Sequence, residues 1–325
     1  MRNTIAINKE RDIESSLLDE LARELGAKMH GEVLRDEPMA LHTTFRAGGP
    51  ADLFLMPKDD ADVQVGLTLL AQAGVSHTVV GNGSNLLVAD RGIRGAVLRL
   101  TPRLAQIRRD GDMLIAGAGA KLARVVQFAA AEALSGLEST IGIPGTIGGA
   151  LVMNAGTDVG SISDLVINAT CFTGSGERCE LDREHLCFGY RMSALQGSGL
   201  VVISARLQLR AHEREAILAK MARLKEKRSS RQPLGYHTAG STFKNLADIA
   251  AGKLIDQADC KGHCIGGAQV STKHANFIVV QPGAHAADIR RLAEWMLHRV
   301  WEVHGRELEM EIEIIGDWSD YTDEI

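Results

Sequence analysis

The sequence predicts an α+β protein, on three observations. Strand-like and helix-like segments are mixed along 325 residues without the regular alternation of a parallel βαβ sheet. Two segments begin like dinucleotide-binding loops and then fail the pattern. Gly81-Asn82-Gly83-Ser84-Asn85-Leu86 and Gly117-Ala118-Gly119-Ala120-Lys121-Leu122 both carry leucine at the third glycine position, where a Rossmann unit needs close helix–strand packing. The length, finally, exceeds one ordinary core and suits two or three domains.

The elements follow in order. Residues 13–27 read as an amphipathic helix with Leu17, Leu18, Leu21 and Leu25 on one stripe. Ala51–Met56 is an apolar strand, 59–73 a helix, and a short strand ends at Thr78-Val79-Val80 before the glycine loop 81–87. Gly95–Leu100 and Met113–Ala116 are strands. Residues 121–134 form a helix with Leu122, Val125, Val126 and Ala129 on its core stripe. The densest glycine stretch is Gly142-Ile143-Pro144-Gly145-Thr146-Ile147-Gly148-Gly149. Val201–Leu209 is the clearest later strand, and 213–231 a charged connecting helix. A loop (232–242), a helix (248–258), a strand (Ala275–Val280) and a longer helix (286–304) come next. The chain closes on an alternating strand, Leu308–Ile315. There is no fixed-period repeat.

Composition excludes several classes. A net charge of −5 and 4% aromatic residues argue against a nucleic-acid surface. No apolar run approaches a membrane span, and Met1–Asp12 lacks the apolar core of a secretory signal, so a cytoplasmic location is expected. Five cysteines are too few and too scattered for a disulfide framework. Cys260-Lys261-Gly262-His263-Cys264 lacks the further ligands of a zinc site, and no metal is expected.

The 34 glycines carry more information. Glycine lets backbone approach a ligand closely, and successive N–H groups in tight turns bind anions. The 81–87 loop adds the side chains of Asn82, Ser84 and Asn85, and the 142–149 loop adds a proline-stiffened turn and Thr146. Two such loops outside a Rossmann frame read as a clasp for a diphosphate-bearing cofactor.

An ordered set of motifs then becomes recognisable: Thr44-Phe45-Arg46-Ala47-Gly48-Gly49-Pro50-Ala51, the two glycine loops, Asn154-Ala155-Gly156, Phe188-Gly189-Tyr190-Arg191-Met192-Ser193, Gly240-Ser241-Thr242-Phe243-Lys244-Asn245 and Gly266-Gly267-Ala268-Gln269-Val270-Ser271. From about residue 40 to 316 the chain closely resembles the MurB family, the UDP-N-acetylenolpyruvoylglucosamine reductases of peptidoglycan synthesis. The short interval between Tyr190-Arg191 and Gly240-Ser241 resembles the type II form. The resemblance implies a PCMH-type (vanillyl-alcohol-oxidase-like) FAD-binding domain in two parts, 1–100 and 101–212, with a substrate-binding α+β domain at 213–325. It implies non-covalent FAD, NADPH as hydride donor, and UDP-N-acetylglucosamine enolpyruvate as the substrate reduced to UDP-N-acetylmuramate. No obligate protein partner is expected.

The resemblance also assigns residues. Ser241 would supply a proton, Arg191 would clamp the substrate carboxylate, and Glu311 would be the third catalytic residue. Arg46, Gly81, Asn82, Gly83, Ser84, Asn85, Leu86, Gly142, Ile143, Pro144, Gly145, Thr146 and Gly149 would line the cofactor. Tyr190, Lys244, Asn245 and His274 would contact substrate. Periodicity alone cannot separate Glu311 from Glu307, Glu309 and Glu313, which share its face; Gly316, five residues on, sets the family register. Met310 and Glu313 depart from that pattern, where proline and arginine are usual. Lys220, Arg223, Lys225, Lys227, Arg228 and Arg231 form a basic run that reads as a solvated helix face, or as an attractor for the NADPH 2′-phosphate. The competing readings are another PCMH-type flavin oxidoreductase and a flavin-binding protein without turnover.

Overall fold

The computed structural model describes residues 16–100 and 104–322. The start of the predicted first helix and the segment Met1–Asp12 lie outside these residues.

Helix α1 (16–28) precedes strands β1 (Glu32–Pro38) and β2 (Pro50–Met56), helix α2 (Asp60–Gln72) and strands β3 (His77–Val80), β4 (Leu86–Val88) and β5 (Ile93–Arg99). Next come β6 (Ile107–Asp110), β7 (Met113–Gly117), α3 (Leu122–Ala131), β8 (Leu134–Ser135) and α4 (Ile147–Val152). Strands β9 (Gly156–Thr157), β10 (Gly160–Ser161), β11 (Val166–Phe172), β12 (Arg178–Asp182), β13 (Val201–Gln208) and β14 (Arg210–Ala211) follow. The last part holds α5 (Arg214–Arg231), α6 (Ala251–Gln257), β15 (Cys264–Ile265), β16 (Ala268–Val270), β17 (Ile278–Val280), α7 (Ala286–His304) and β18 (Glu313–Ile315).

Three sheets organise these elements. The first has the order β1-β2-β5-β3, antiparallel at β1/β2 and parallel at β2/β5 and β3/β5. Strand β2 is buried on both faces from residue 51 to 55, as central strands between two layers must be. Leu53 and Leu55 meet Leu21, Leu25, Leu67 and Leu70 from α1 and α2, while Phe54 joins Met39, Val80 and Val97 in a second cluster. Asp59 caps α2 by accepting from the Asp62 N–H at 3.0 Å. The second sheet, β12-β11-β13-β7-β6, is antiparallel throughout and shares the core of the first through α3 and α4. The third, β15-β16-β17, is packed by α7, whose Ile289, Leu292, Ala293, Met296 and Val300 are buried. Gly305, in the left-handed region at φ 60°, ends α7 by donating to the Trp301 carbonyl at 2.8 Å.

The predicted closing strand Leu308–Ile315 is corrected here: only Glu313–Ile315 is a strand. The reason is a change of partner. Residues 309–311 bond to 242–244, with Lys244 N–H donating to the Glu309 carbonyl and Glu311 N–H to the Thr242 carbonyl, both at 2.8 Å. The chain then crosses to pair in parallel with β4, Leu86 opposite Glu313. A segment from the last helix-and-sheet unit thereby lies directly against the first glycine loop. The predicted helix ends also shift: α3 stops at Ala131 with Ala133 at φ 55°, and α6 spans Ala251–Gln257.

Candidate active site

The two glycine loops meet. Ser84 Oγ donates to the Pro144 carbonyl at 3.1 Å, and a Cβ added at Gly81 would lie 2.5 Å from Thr146 Oγ1. Gly83 sits at φ 59°, and a Cβ there would lie 2.0 Å from the His42 carbonyl oxygen, so both conformation and space demand glycine. Thr44 N–H donates to the Gly83 carbonyl at 3.1 Å, tying the loop to the segment that carries Arg46. Arg46 is exposed at φ 58°, and its guanidinium reaches the Leu41 carbonyl. Among the described residues, the N–H groups of Asn82, Gly83 and Ser84 donate to no protein acceptor. Free amides in a tight glycine turn are the donors an anionic group requires, so this cradle fits the diphosphate of FAD. In the facing loop, Thr146 Oγ1 accepts from Gly149 N–H at 3.4 Å. Leu86 is the first residue of β4.

Asn85 faces elsewhere. Its side-chain amide donates to the Glu311 carbonyl at 2.8 Å, and its own carbonyl accepts from Glu313 N–H at 2.8 Å. The end of the first glycine loop is therefore bonded to the backbone of a predicted catalytic residue.

Arg191 and Glu311 come together from distant parts of the chain. Arg191 Nε donates to Glu311 Oε1 at 2.5 Å, and its Nη2 donates to the Gly156 carbonyl at 3.0 Å. Arg191 itself lies at φ 54°. Gly189 and Met192 hold this turn by exchanging two backbone bonds, Gln196 Nε2 donates to the Arg191 carbonyl, and Asn154 Nδ2 donates to the Gly189 carbonyl at 2.7 Å. Burial pushes the Glu311 carboxyl above its ordinary range, and the Arg191 guanidinium, with Lys244 farther off, pulls the other way. The Tyr190 ring lies under the Arg191 guanidinium at 5.1 Å, and its hydroxyl accepts from Asn245 N–H at 3.3 Å. Arg191 lines two cavities, one of about 320 Å³ with Met153, Gln196, Lys244 and Glu311, the other of about 280 Å³ with Asn154, Ser161 and Tyr190.

Ser241 precedes Thr242, whose carbonyl accepts from Glu311 N–H, so it stands beside the same backbone. Asn276 fixes this segment. Its Oδ1 accepts from Phe243 N–H at 2.9 Å, its Nδ2 donates to the Phe243 carbonyl at 2.8 Å, and its backbone carbonyl accepts from Thr242 N–H. Lys244 pairs with Glu309 at 2.6 Å, and Asn245 Oδ1 accepts from Ala251 N–H at the start of α6. His274 packs edge-on against Phe277 at 4.8 Å. Its burial, together with Lys261 and Arg231 nearby, lowers its pKa. Among the described residues it makes no bond to Arg191, Ser241 or Glu311. Gln196, Asn154 and Asn276 were not singled out from the sequence as site residues. Their roles depend on backbone carbonyls brought close by the fold, which no residue spacing reveals.

A glycine-loop anion cradle bonded to the segment that carries Glu311, the partner of Arg191, fits a flavin-dependent oxidoreductase. A family model for an FAD binding domain matches residues 51–182, and one for the C-terminal domain of UDP-N-acetylenolpyruvoylglucosamine reductase matches 232–315. The chain is 41% identical over 288 residues to the UDP-N-acetylenolpyruvoylglucosamine reductase of Clostridium botulinum, covering 89% of this chain and 94% of that one. It is 43% identical over 288 residues to that of Listeria monocytogenes, covering 89% and 96%. The crystal structure of MurB from Thermus caldophilus superposes with a TM-score of 0.76 at 36% identity, covering 88% of this chain and 99% of that one. The chain belongs to the MurB family of UDP-N-acetylenolpyruvoylglucosamine reductases, with the PCMH-type FAD-binding fold expected from its motifs.

Proposed function

We propose that this protein uses NADPH and FAD to reduce the enolpyruvyl ether of UDP-N-acetylglucosamine enolpyruvate, giving UDP-N-acetylmuramate for peptidoglycan synthesis. Family membership supports the activity. The observation that carries the residue assignments is the half-buried Arg191–Glu311 pair, bonded through Asn85 to the cofactor loop. On this reading residues 1–100 and 101–212 are the two parts of the FAD-binding unit and 213–325 the substrate-binding unit. The site works in the cytoplasm, in keeping with NADPH as donor and five unpaired cysteines.

Bound FAD supplies the hydride. Arg191 binds the substrate carboxylate and holds the negative charge that spreads into it when hydride reaches the β-carbon; a guanidinium stays ionised and pairs bidentately. Glu311 orients Arg191 through the 2.5 Å bond. Ser241 donates its hydroxyl proton to the α-carbon and is reprotonated from solvent; a weak acid suffices against a strongly basic centre when it is well placed. Tyr190, Lys244, Asn245 and His274 contact the substrate, and the free amides at 82–84 hold the cofactor diphosphate together with the 142–149 loop. Anaerobic stopped-flow tests the whole: NADPH should bleach the bound flavin, and the enolpyruvyl substrate should restore its colour. Bleaching with no recolouring by that substrate would refute the assignment.

A further inference from the structure

The basic run on α5 is not uniformly a solvated face. Lys220 pairs with Glu138 at 3.2 Å and Lys227 with Asp158 at 2.5 Å. Arg228 behaves differently. Its Nε is buried with no hydrogen-bond partner, and no carboxylate pairs with its guanidinium among the described residues. Its side chain lies across Gly142, the first residue of the second cofactor loop, where an added Cβ would come within 2.9 Å of Arg228 Cδ. Gly142 lies at φ 74°, so the loop leaves room for the arginine and not for a side chain of its own. Burial lowers the Arg228 pKa, and repulsion from the Arg191 charge adds to it.

Arg228 is half-buried, and a cation whose buried donor lacks a partner is costly unless an anion completes it. Arg191, the charge that acts on Arg228, has its own acid in Glu311 and is assigned to the substrate carboxylate. Arg228 is left facing the 142–149 loop with one unmatched positive charge.

We propose that Arg228 is a cofactor-site cation that holds negative charge of the flavin dinucleotide against the 142–149 loop. The charge has two possible sources on the same molecule, the diphosphate and the pyrimidine edge of the ring system, which gains charge on accepting a hydride. The proposal rests on FAD as the cofactor, and FAD binding by the wild-type apoprotein is the control for that reading.

The test is titration of wild type, Arg228→Gln and Arg228→Lys with FAD, followed by flavin quenching, with the midpoint potential measured in parallel against a reference dye. Arg228→Gln should bind oxidised FAD at least tenfold more weakly if the diphosphate is the source. If the ring is the source, oxidised affinity should hold while the potential falls by about 30 mV for each tenfold loss of preference for the reduced form. Arg228→Lys should retain most of either property. Wild-type affinity and potential in Arg228→Gln would overturn the proposal, also if the KM for NADPH or the UDP-sugar rose instead. So would equal loss in Arg228→Lys and Arg228→Gln with matching falls in apoprotein melting temperature, because that is a packing role. If wild type itself fails to bind FAD, the cofactor reading fails and not Arg228 alone.

Discussion

Two ion pairs end on the same short segment and differ in nearly everything else. Lys244–Glu309 spans 2.6 Å with Glu309 74% exposed, whereas Arg191–Glu311 spans 2.5 Å with Glu311 15% exposed. The first is a surface pair, in which solvent screens the attraction and side-chain entropy offsets it. The second is desolvated, with Glu311 further fixed through its backbone by Asn85 and Thr242. Equal spacing and equal charge therefore do not make equal chemistry. Burial and the number of fixed partners separate Glu311 from a solvated carboxylate two residues away.

The strongest way to break the contrast is Ser241→Ala. It should retain FAD and oxidise NADPH at near-normal rate, while reoxidation by the enolpyruvyl substrate slows by about 10²–10⁴-fold, the usual contribution of a positioned acid. Near-normal reoxidation would leave Ser241 only a turn residue after Gly240. Arg191→Ala should cost on the order of 10²–10³-fold in the same half-reaction and leave flavin reduction by NADPH much less affected. Equal losses in both halves would point to a structural role, such as support of the turn at φ 54°.

Asn85→Ala sharpens the comparison, since it cuts the link between the first glycine loop and Glu311 without touching either charge. Loss of one hydrogen bond of about 1 kcal/mol predicts a fall of roughly fivefold in kcat for the second half-reaction, with FAD affinity changed less. A change confined to FAD affinity would make Asn85 a cofactor contact only. Glu311→Gln gives a pH readout. The native pKa is raised, so the native state holds its proton where the unfolded chain has lost it, and wild-type stability falls as pH rises through that window. Melting curves should therefore show wild type losing ground to Glu311→Gln from the ordinary glutamate range up to the raised native pKa, with a constant difference outside it. A flat difference throughout would mean that Glu311 titrates normally. Glu309→Gln should do least, changing stability by less than about 1 kcal/mol and the two half-reactions by less than about threefold. A loss as large as that of Arg191→Ala would erase the distinction between the pairs.

The sequence by itself determined the α+β class, most helices and the family. Apolar periodicity and turn glycines are local properties, and α7 at Ala286–His304 and α5 at Arg214–Arg231 follow from them almost residue for residue. It also marked the loops at 81–87 and 142–149 as a candidate clasp for a ligand. Only the tertiary structure decided which of four alternating glutamates is the least exposed, that residues 309–311 bond to 242–244 before β18 joins β4, and that Arg228 lies against Gly142. These outcomes turn on desolvation and on backbone partners up to 226 residues apart, as for Asn85 and Glu311. A carboxylate's environment is set by what packs around it from elsewhere in the chain, and that information is not carried by its neighbours in sequence.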